Sequence, residues 1–412
     1  MDEREVTPQK LLIAGVCLLG SAFVPFVQVT IGPMMMLPMI QELGWTRTQY
    51  AFGTTFLFIS GAITVLVFGR IADRYGSRAI LLLGSIGGGI TMLALSRQNA
   101  QLWQLYVAYT LLGAFGSSGL GYTKIIGTLF AKHRGKALAI FGAESTVALA
   151  VIPLLTSVLN ANVGWRGTYV VYAVIMFVLS PVLYFVIRGP GLSEPAASLP
   201  AGAAVMPPGT LEGLTPAQIR RDRSFWLVVF GAVLCSGLNA GLTAHVIAAI
   251  TDKGFSQSTA AGVLSAATFI GLAGTLAVGF AMDYFRTAKI MAVFALLMAV
   301  GALVFGFASA TFGGLALLVV GLGIQRVGFH AMMPGTSYMQ TRFVGMRSFG
   351  EAFAMQVVVL SMGMAFAPPL FGMIYDRTGS YEVMYWIVAG GAAAGSLVYL
   401  LLGPYRYKVG AR

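Results

Sequence analysis

The sequence predicts an all-α membrane protein, with twelve transmembrane helices in two pseudo-symmetric six-helix bundles. Three observations predict it. Of 412 residues, 57% are hydrophobic and only 10% charged, against roughly 25% charged in an average soluble domain. Apolar stretches long enough to cross about 30 Å of hydrocarbon recur along the whole chain. The second half also repeats features of the first at a nearly constant offset. This composition excludes an ordinary cytosolic enzyme, a disordered chain and a secreted disulfide scaffold. Cys17 and Cys235 lie inside apolar runs, so they read as small core residues without zinc or disulfide spacing.

The predicted spans are residues 11–39, 50–70, 79–96, 102–130, 136–158, 166–187, 225–249, 259–281, 289–309, 312–338, 350–373 and 383–403. Short polar turns such as Ser96-Arg97-Gln98-Asn99 separate them. Lipid offers no partner for unpaired backbone groups, so the spans are helices. A barrel would alternate apolar and polar residues, whereas these runs are continuously apolar. The first run is too long for a signal peptide, and its lead-in carries Asp2, Glu3 and Glu5 where basic residues would be needed. Gly 52 and Met 20 suit close helix packing.

Charge placement sets the expected topology. Of 26 basic residues, Arg47, Arg97, Arg166, Lys253 and Arg377 fall in odd-numbered loops, Lys124 and Arg326 fall inside spans, and the other nineteen fall in the tails and even-numbered loops. That bias places both termini in the cytoplasm of a multi-pass inner (plasma) membrane protein. It also accounts for the net charge of +12 by topology and contact with anionic lipid, with no nucleic-acid partner.

Residues 188–224 are the only long connection and contain six prolines, which predicts a flexible cytoplasmic linker. It separates an N-terminal bundle, 1–187, from a C-terminal bundle, 225–412. Gly44-Trp45-Thr46-Arg47-Thr48 aligns with Gly254-Phe255-Ser256-Gln257-Ser258, and Asp73 with Asp283, both 210 residues apart. Six spans per half give the two copies one orientation. The arrangement predicts a central site between the halves and alternating access.

The segment GRIADRYGSR resembles the loop after the second helix of the major facilitator superfamily. Gly69, Asp73, Arg74, Gly76 and Arg78 match its G-x-x-x-D-R-x-G-x-R pattern, and Asp283 stands in the weaker second copy. QELGWTRTQ, FAKHRGKALAIFGA, GWRGTY, RSFW and MRSFG with FGMIYDRTGSY resemble the branch containing monocarboxylate and oxalate–formate transporters. The resemblance implies a substrate that is a small organic anion, often carried with a proton. It also implies a gating role for the loop: Asp73 capping a helix of the opposite half, with Arg74 and Arg78 pairing across the loop. Three departures stand out. The first span has no charge, residues 259–281 have none, and no basic residue lies between Glu351 and Tyr375. The branch's proton relay and dicarboxylate clamp therefore do not transfer residue by residue.

The polar residues within spans supply the candidate site. Arg326 lies near the middle of the tenth span at about 1.5 Å per residue. An arginine there costs about 2.5–3.5 kcal/mol to insert, and its ionised fork suits a carboxylate. A structural pair with an acid or with carbonyls is the alternative. His330, four residues on, shares that face; it could donate to the anion, carry the proton, or bond a neighbouring helix. Glu144 lies near the middle of the fifth span, either as the titrating group or as the counter-ion of Arg326. Tyr122 could present a hydroxyl to the substrate, while Lys124 reads as snorkelling. Asn239 and Thr243 share a face of the seventh span, and His245 near its outer end could gate or attract anions. Gln28 stands between Pro25 and Pro33, which predict local breaks.

The function these features predict is secondary transport of a small carboxylate, a monocarboxylate, by proton symport. The expected partners are substrate, proton and lipid bilayer, and a monomer suffices. A proton-coupled drug or cation antiporter and an oxalate–formate type exchanger are the alternatives; the fifth span, with AVIPLLTSVL, lacks the G-P-x-x-G-G pattern typical of the drug antiporters. No nucleotide-binding signature, metal-ligand cluster or nucleophile constellation appears. The expectation is therefore no enzyme activity, no cofactor and no metal.

Overall fold

A computed structural model describes residues 7–25, 27–130, 134–188, 212–310 and 314–407. They fold into α1 (Pro8–Phe23), α2 (Val27–Leu43), α3 (Arg47–Tyr75), α4 (Ser77–Ser96), α5 (Leu102–Gly116), α6 (Gly119–Leu129), α7 (Arg134–Val186), α8 (Pro216–Ile219), α9 (Arg223–Ala232), α10 (Leu238–Asp252), α11 (Gln257–Phe285), α12 (Ile290–Phe307), α13 (Gly314–Phe343), α14 (Phe349–Thr378) and α15 (Glu382–Leu400). A π-helical turn, Val233–Gly237, joins α9 to α10.

Ten helical segments are long and apolar enough to cross a membrane. Two features of the helices bring that number to the twelve spans. The fourth span is divided at Ser117–Ser118 into α5 and α6, each too short alone. The 53-residue α7 holds the fifth and sixth spans, divided at Gly164, whose φ of 67° and ψ of 174° are not helical. Only glycine adopts that backbone at low cost. Large apolar side chains face outward along these helices, for instance Leu66, Phe185, Leu276 and Phe280, as lipid-facing surfaces require.

The chain divides into two compact units, Met1–Ala203 and Ala204–Arg412. Each has its own packing, and the two repeat one another. In the first unit α3 packs on α5 and α4 on α7; in the second, α11 packs on α13 and α12 on α15. The sequence repeat reflects helix ends. Thr46 caps α3 by accepting from the Gln49 backbone N–H, and Ser256 caps α11 by accepting from the Thr259 N–H; each removes an orphan donor. At their other ends, Gly76 (φ 84°) follows α3 and Arg286 (φ 48°) follows α11. Those positions are also 210 apart, so the second copy keeps a positive φ at the helix end without the glycine, although the ψ values differ, 164° at Gly76 and 36° at Arg286. Arg286 is the one non-glycine residue with positive φ among the described residues.

The first unit also joins two of the sequence motifs. Glu42, from QELGW, accepts from Trp165 Nε1 at 2.7 Å and forms an ion pair with Arg166, both from GWRGTY. Pro25 coincides with the predicted break between α1 and α2, whereas Pro33 is accommodated within α2.

Of the segment expected as a linker, residues 189–211 lie outside the described residues. The remainder of it is built into the second unit rather than left free. Leu214 N–H donates to Val344 at 2.8 Å and Met346 N–H to Glu212 at 2.9 Å. Ile219 is fully buried with Phe225, Val229, Val344 and Ala352, and Asp222 caps α9 through the Phe225 N–H.

Candidate functional site

The second unit builds a polar cluster where α10 meets α13. Arg326 is only 2% exposed, near the middle of α13. Its Nη1 donates to Thr243 Oγ1 on α10 at 3.1 Å. Its Nε and Nη2 are buried without a hydrogen-bond partner. These two N–H groups form one edge of the planar guanidinium, the edge that matches the two oxygens of a carboxylate. The Phe329 ring lies 5.7 Å from the guanidinium carbon, a cation–π distance.

One turn along α10, Asn239 faces the residue preceding Arg326. Gln325 Nε2 donates to Asn239 Oδ1, and Asn239 Nδ2 donates to Thr243 at 3.4 Å. Asn239 and Gln325 are fully buried, and Gln325 Oε1 has no partner. His330 is half-buried beside Arg326, and its Nε2 is unpaired.

Two glycines of α11 allow this arrangement. A Cβ on Gly271 would stand 2.6 Å from His330 Cδ2 and 2.8 Å from Arg326 Cβ; on Gly274 it would stand 1.9 Å from the Val327 carbonyl oxygen. No side chain fits at Gly274, so its absence sets how closely α11 supports the segment holding Arg326 and His330.

His245 is tied into the packing of the second unit. Its Nδ1 is 2.8 Å from the Tyr381 hydroxyl and its Nε2 2.9 Å from the Pro368 carbonyl oxygen, and it is fully buried. It ties α10 to the proline pair of α14 and to the start of α15, instead of facing the outer mouth. Tyr381 also lines a separate cavity of about 410 Å³, with Asp252, Lys253, Tyr385 and Trp386. There Lys253 Nζ donates to the Gly306 and Ala308 carbonyls at 2.6 and 2.7 Å, and partial burial lowers its pKa below the ordinary lysine value.

The first unit holds two buried polar groups. Gln28 Nε2 donates to Tyr109 Oη at 2.6 Å, Tyr109 donates to Tyr50 Oη at 2.9 Å, and Tyr50 donates to the Gly32 carbonyl at 2.8 Å. The second group is Glu144 with Ser21 and Tyr122. The Ser21 hydroxyl hydrogen-bonds the Glu144 side chain, while Glu144 Oε1 and the fully buried Tyr122 hydroxyl have no partner. Tyr122 packs over Gly20, where a Cβ would meet its hydroxyl at 2.5 Å.

The loop motif differs from its expected pairing. Lys124 does not simply snorkel: its Nζ is 3.0 Å from Asp73 Oδ1, in the same half. Among the described residues, Arg74 and Arg78 form no ion pair across the loop. Arg74 lies 5.3 Å from the Tyr75 ring, and Arg78 lies 4.4 Å from the Tyr184 ring and donates to the Tyr184 carbonyl at 3.5 Å. Aromatic faces satisfy a guanidinium without a carboxylate. Gly69 has open space around its missing side chain. Asp283 is exposed, with no partner among the described residues.

Gln325, Ser21, Tyr50 and Tyr109 are not among the site residues the sequence singles out. Gln325 carries the same signal as Arg326, a polar side chain at mid-span. Tyr50 and Tyr109 carry none, since tyrosines near span ends read equally well as interface anchors.

The family model of the Major Facilitator Superfamily matches residues 17–324 and 230–412. The probable L-galactonate transporter of Escherichia coli (strain K12) is 25% identical over 381 residues, covering 88% of this chain and 82% of its own. Monocarboxylate transporter 11 of Mus musculus is 25% identical over 347 residues, covering 80% and 73%. With the uncharacterized MFS-type transporter YcxA of Bacillus subtilis (strain 168), identity is 24%, and the match covers 62% of this chain and 61% of that relative's length. The crystal structure of a mutant of the nucleoside transporter NupG superposes with a TM-score of 0.78 at 14% identity, covering 95% of this chain and 99% of that one. A bacterial homolog of the human lysosomal transporter Spinster, inward-facing and unoccupied, superposes with a TM-score of 0.71 at 17% identity, covering 96% of each chain. The helical pairing repeated in both units, the membrane-crossing segments and the family match over most of the sequence together make this chain a multi-pass membrane transporter of the Major Facilitator Superfamily.

Proposed function

We propose that the chain carries a small organic anion, a monocarboxylate, together with a proton, by alternating access. The observation that carries this reading is the Nε/Nη2 edge of Arg326, buried at mid-helix and unpaired while Nη1 is fixed by Thr243. A buried ionised donor without a partner is costly, and a carboxylate matches both open N–H groups at once. Two relatives are named for acids, a monocarboxylate transporter and a probable L-galactonate transporter, and their likeness supports the reading. His330 Nε2 is the next polar atom along the same helix. Tyr122 and Gln28 belong to the polar groups of the first unit and act on the substrate only indirectly in this reading. Glu144 carries the proton: it is held by Ser21 and keeps one carboxyl oxygen free. Asp73, with Gly69, Arg74, Arg78 and the second copy at Asp283, serves the gate, and the Asp73–Lys124 pair is weak enough, at roughly 0–1 kcal/mol for an exposed pair, to open in each cycle. The protein resides in an inner (plasma) membrane with both termini cytoplasmic.

The test is uptake of C2–C8 carboxylates into proteoliposomes at two pH values. Arg326→Leu should abolish uptake and Arg326→Lys should weaken it, because a point charge replaces a fork. For Glu144→Gln, proton-driven accumulation should vanish while substrate exchange persists. Normal uptake by the Arg326→Leu protein overturns the anion assignment. A second reading, drug or cation efflux, draws on the multidrug resistance protein MdtG of Salmonella choleraesuis (strain SC-B67), 29% identical over 38% of this chain and 40% of its own, and on the buried acid Glu144. Binding of organic cations but of no acid would favour it.

A further inference from the structure

Beside the guanidinium, the α10–α13 interface contains a second recognition element. Gln325 and Arg326 are consecutive, and they reach Asn239 and Thr243, which are one turn apart on the same face of α10. The amide and the guanidinium therefore stand side by side, separated by about 6 Å along the helix at 1.5 Å per residue. Asn239 and Thr243 link them into one relay. At one end the relay has the open edge of Arg326. At the other it has one atom of the Gln325 amide, fully buried and without a partner.

A plain alkyl carboxylate would satisfy the arginine and leave that amide atom unpaired. A buried amide without a partner is costly, and an alkyl chain against it does nothing to reduce the cost. The group that meets this end of the relay is a hydroxyl. In the arrangement found, the open atom is the carbonyl oxygen Oε1, which a hydroxyl can satisfy by donating. If the relay ran in the opposite sense, with Thr243 donating to Asn239 and Asn239 to Gln325, the open group would be the Nε2 amide, to which the same hydroxyl would serve as acceptor. We infer that Gln325, held by Asn239, reads a hydroxyl of the substrate, so that the preferred acids are hydroxycarboxylates rather than unsubstituted monocarboxylates. This inference rests on the carboxylate reading of Arg326 and narrows it. Gln325 is then the specificity residue, touching the substrate, and Asn239 is a positioning residue acting through it.

The experiment compares matched acids in proteoliposome uptake and competition: propionate with lactate and 3-hydroxypropionate, butyrate with 4-hydroxybutyrate, and hexanoate with gluconate. The unaltered protein should favour the hydroxylated member of at least one pair by about tenfold or more, as one well-made hydrogen bond allows. Gln325→Met, similar in volume but without the amide, should erase that preference by raising the KM of the hydroxy acid to that of its unsubstituted partner. Asn239→Leu should erase the same preference, since it releases the Gln325 amide. Equal handling of both members of every pair by the unaltered protein overturns the inference, and this needs no variant to fold. So does a preference that survives Gln325→Met. In either case an Arg326→Leu protein that takes up no acid shows the carboxylate reading still standing. If the unaltered protein takes up no acid of either kind, the carboxylate reading itself has failed.

Discussion

The two halves of this chain repeat one helix-packing pattern but complete their buried polar relays differently. In the first, Gln28, Tyr109 and Tyr50 pass hydrogen bonds in one direction to the Gly32 carbonyl. Each hydroxyl in that sequence donates onward and the relay ends on backbone, with only the Gln28 Oε1 at its start left without a partner. In the second, Gln325, Asn239, Thr243 and Arg326 form a relay with open atoms at both ends, one of them a charged group. A relay that ends on backbone rigidifies a bundle, because its hydroxyls are satisfied in one arrangement. One that ends on an open guanidinium edge leaves charged donors whose satisfaction must come from elsewhere. The same architecture thus carries a brace in one half and a candidate recognition surface in the other.

That contrast can be broken by substitution. The largest effect should come from Gly274→Leu, because even a Cβ there meets the Val327 carbonyl at 1.9 Å; α11 must separate from α13, and little folded protein should survive detergent extraction, measured by size-exclusion chromatography. Next, Thr243→Val removes the oxygen that fixes Arg326 with almost no change in shape. Uptake of carboxylates should fall by roughly tenfold or more, as expected for a lost hydrogen bond to a charged group, with the change read in the KM for substrate. Tyr109→Phe should act on stability alone. It removes the acceptor of Gln28 Nε2 and the donor to the Tyr50 hydroxyl, costing about 1–3 kcal/mol of stability in thermal unfolding, with the KM for substrate unmoved. Should Tyr109→Phe shift KM and Thr243→Val shift only stability, the assignment of brace and recognition surface is reversed.

The smallest effect sharpens the repeat itself. Arg286 takes a left-handed conformation (φ 48°, ψ 36°) at the position where the first half has Gly76, also at positive φ but with an extended ψ of 164°. Such a conformation costs a residue with a Cβ roughly 1–2 kcal/mol, so Arg286→Gly should raise the unfolding midpoint modestly. A fall would mean that the Arg286 side chain contributes more than its backbone costs.

Much of the fold is legible in the sequence because lipid makes the rule simple. A run of apolar residues long enough to span must be a helix, and six spans per half follow by counting. The break at Pro25, the division between the fifth and sixth spans and the caps at Thr46 and Ser256 can all be read locally. The site is legible only where a charge stands at mid-span, as with Arg326 and Glu144. The partners of His245 are not legible in the sequence, because nothing in its neighbourhood along the chain points to Tyr381 or Pro368, which arrive from α15 and α14. Lys124 is read by its distance from a span end, whereas its partner Asp73 lies 51 residues away in sequence.

By itself, then, the amino-acid order determined the membrane class, the span count, the repeat and the presence of one arginine at depth, since each follows from hydropathy, spacing or the cost of burying charge. Tertiary structure decided which polar atoms are paired and which stay open. In helices apolar around their whole circumference, no polar stripe marks the face that meets a neighbour. Only the close approach of α11 at Gly271 and Gly274, and the register of α10 against α13, fixed Nη1 of Arg326 on Thr243 while leaving its other edge without a partner.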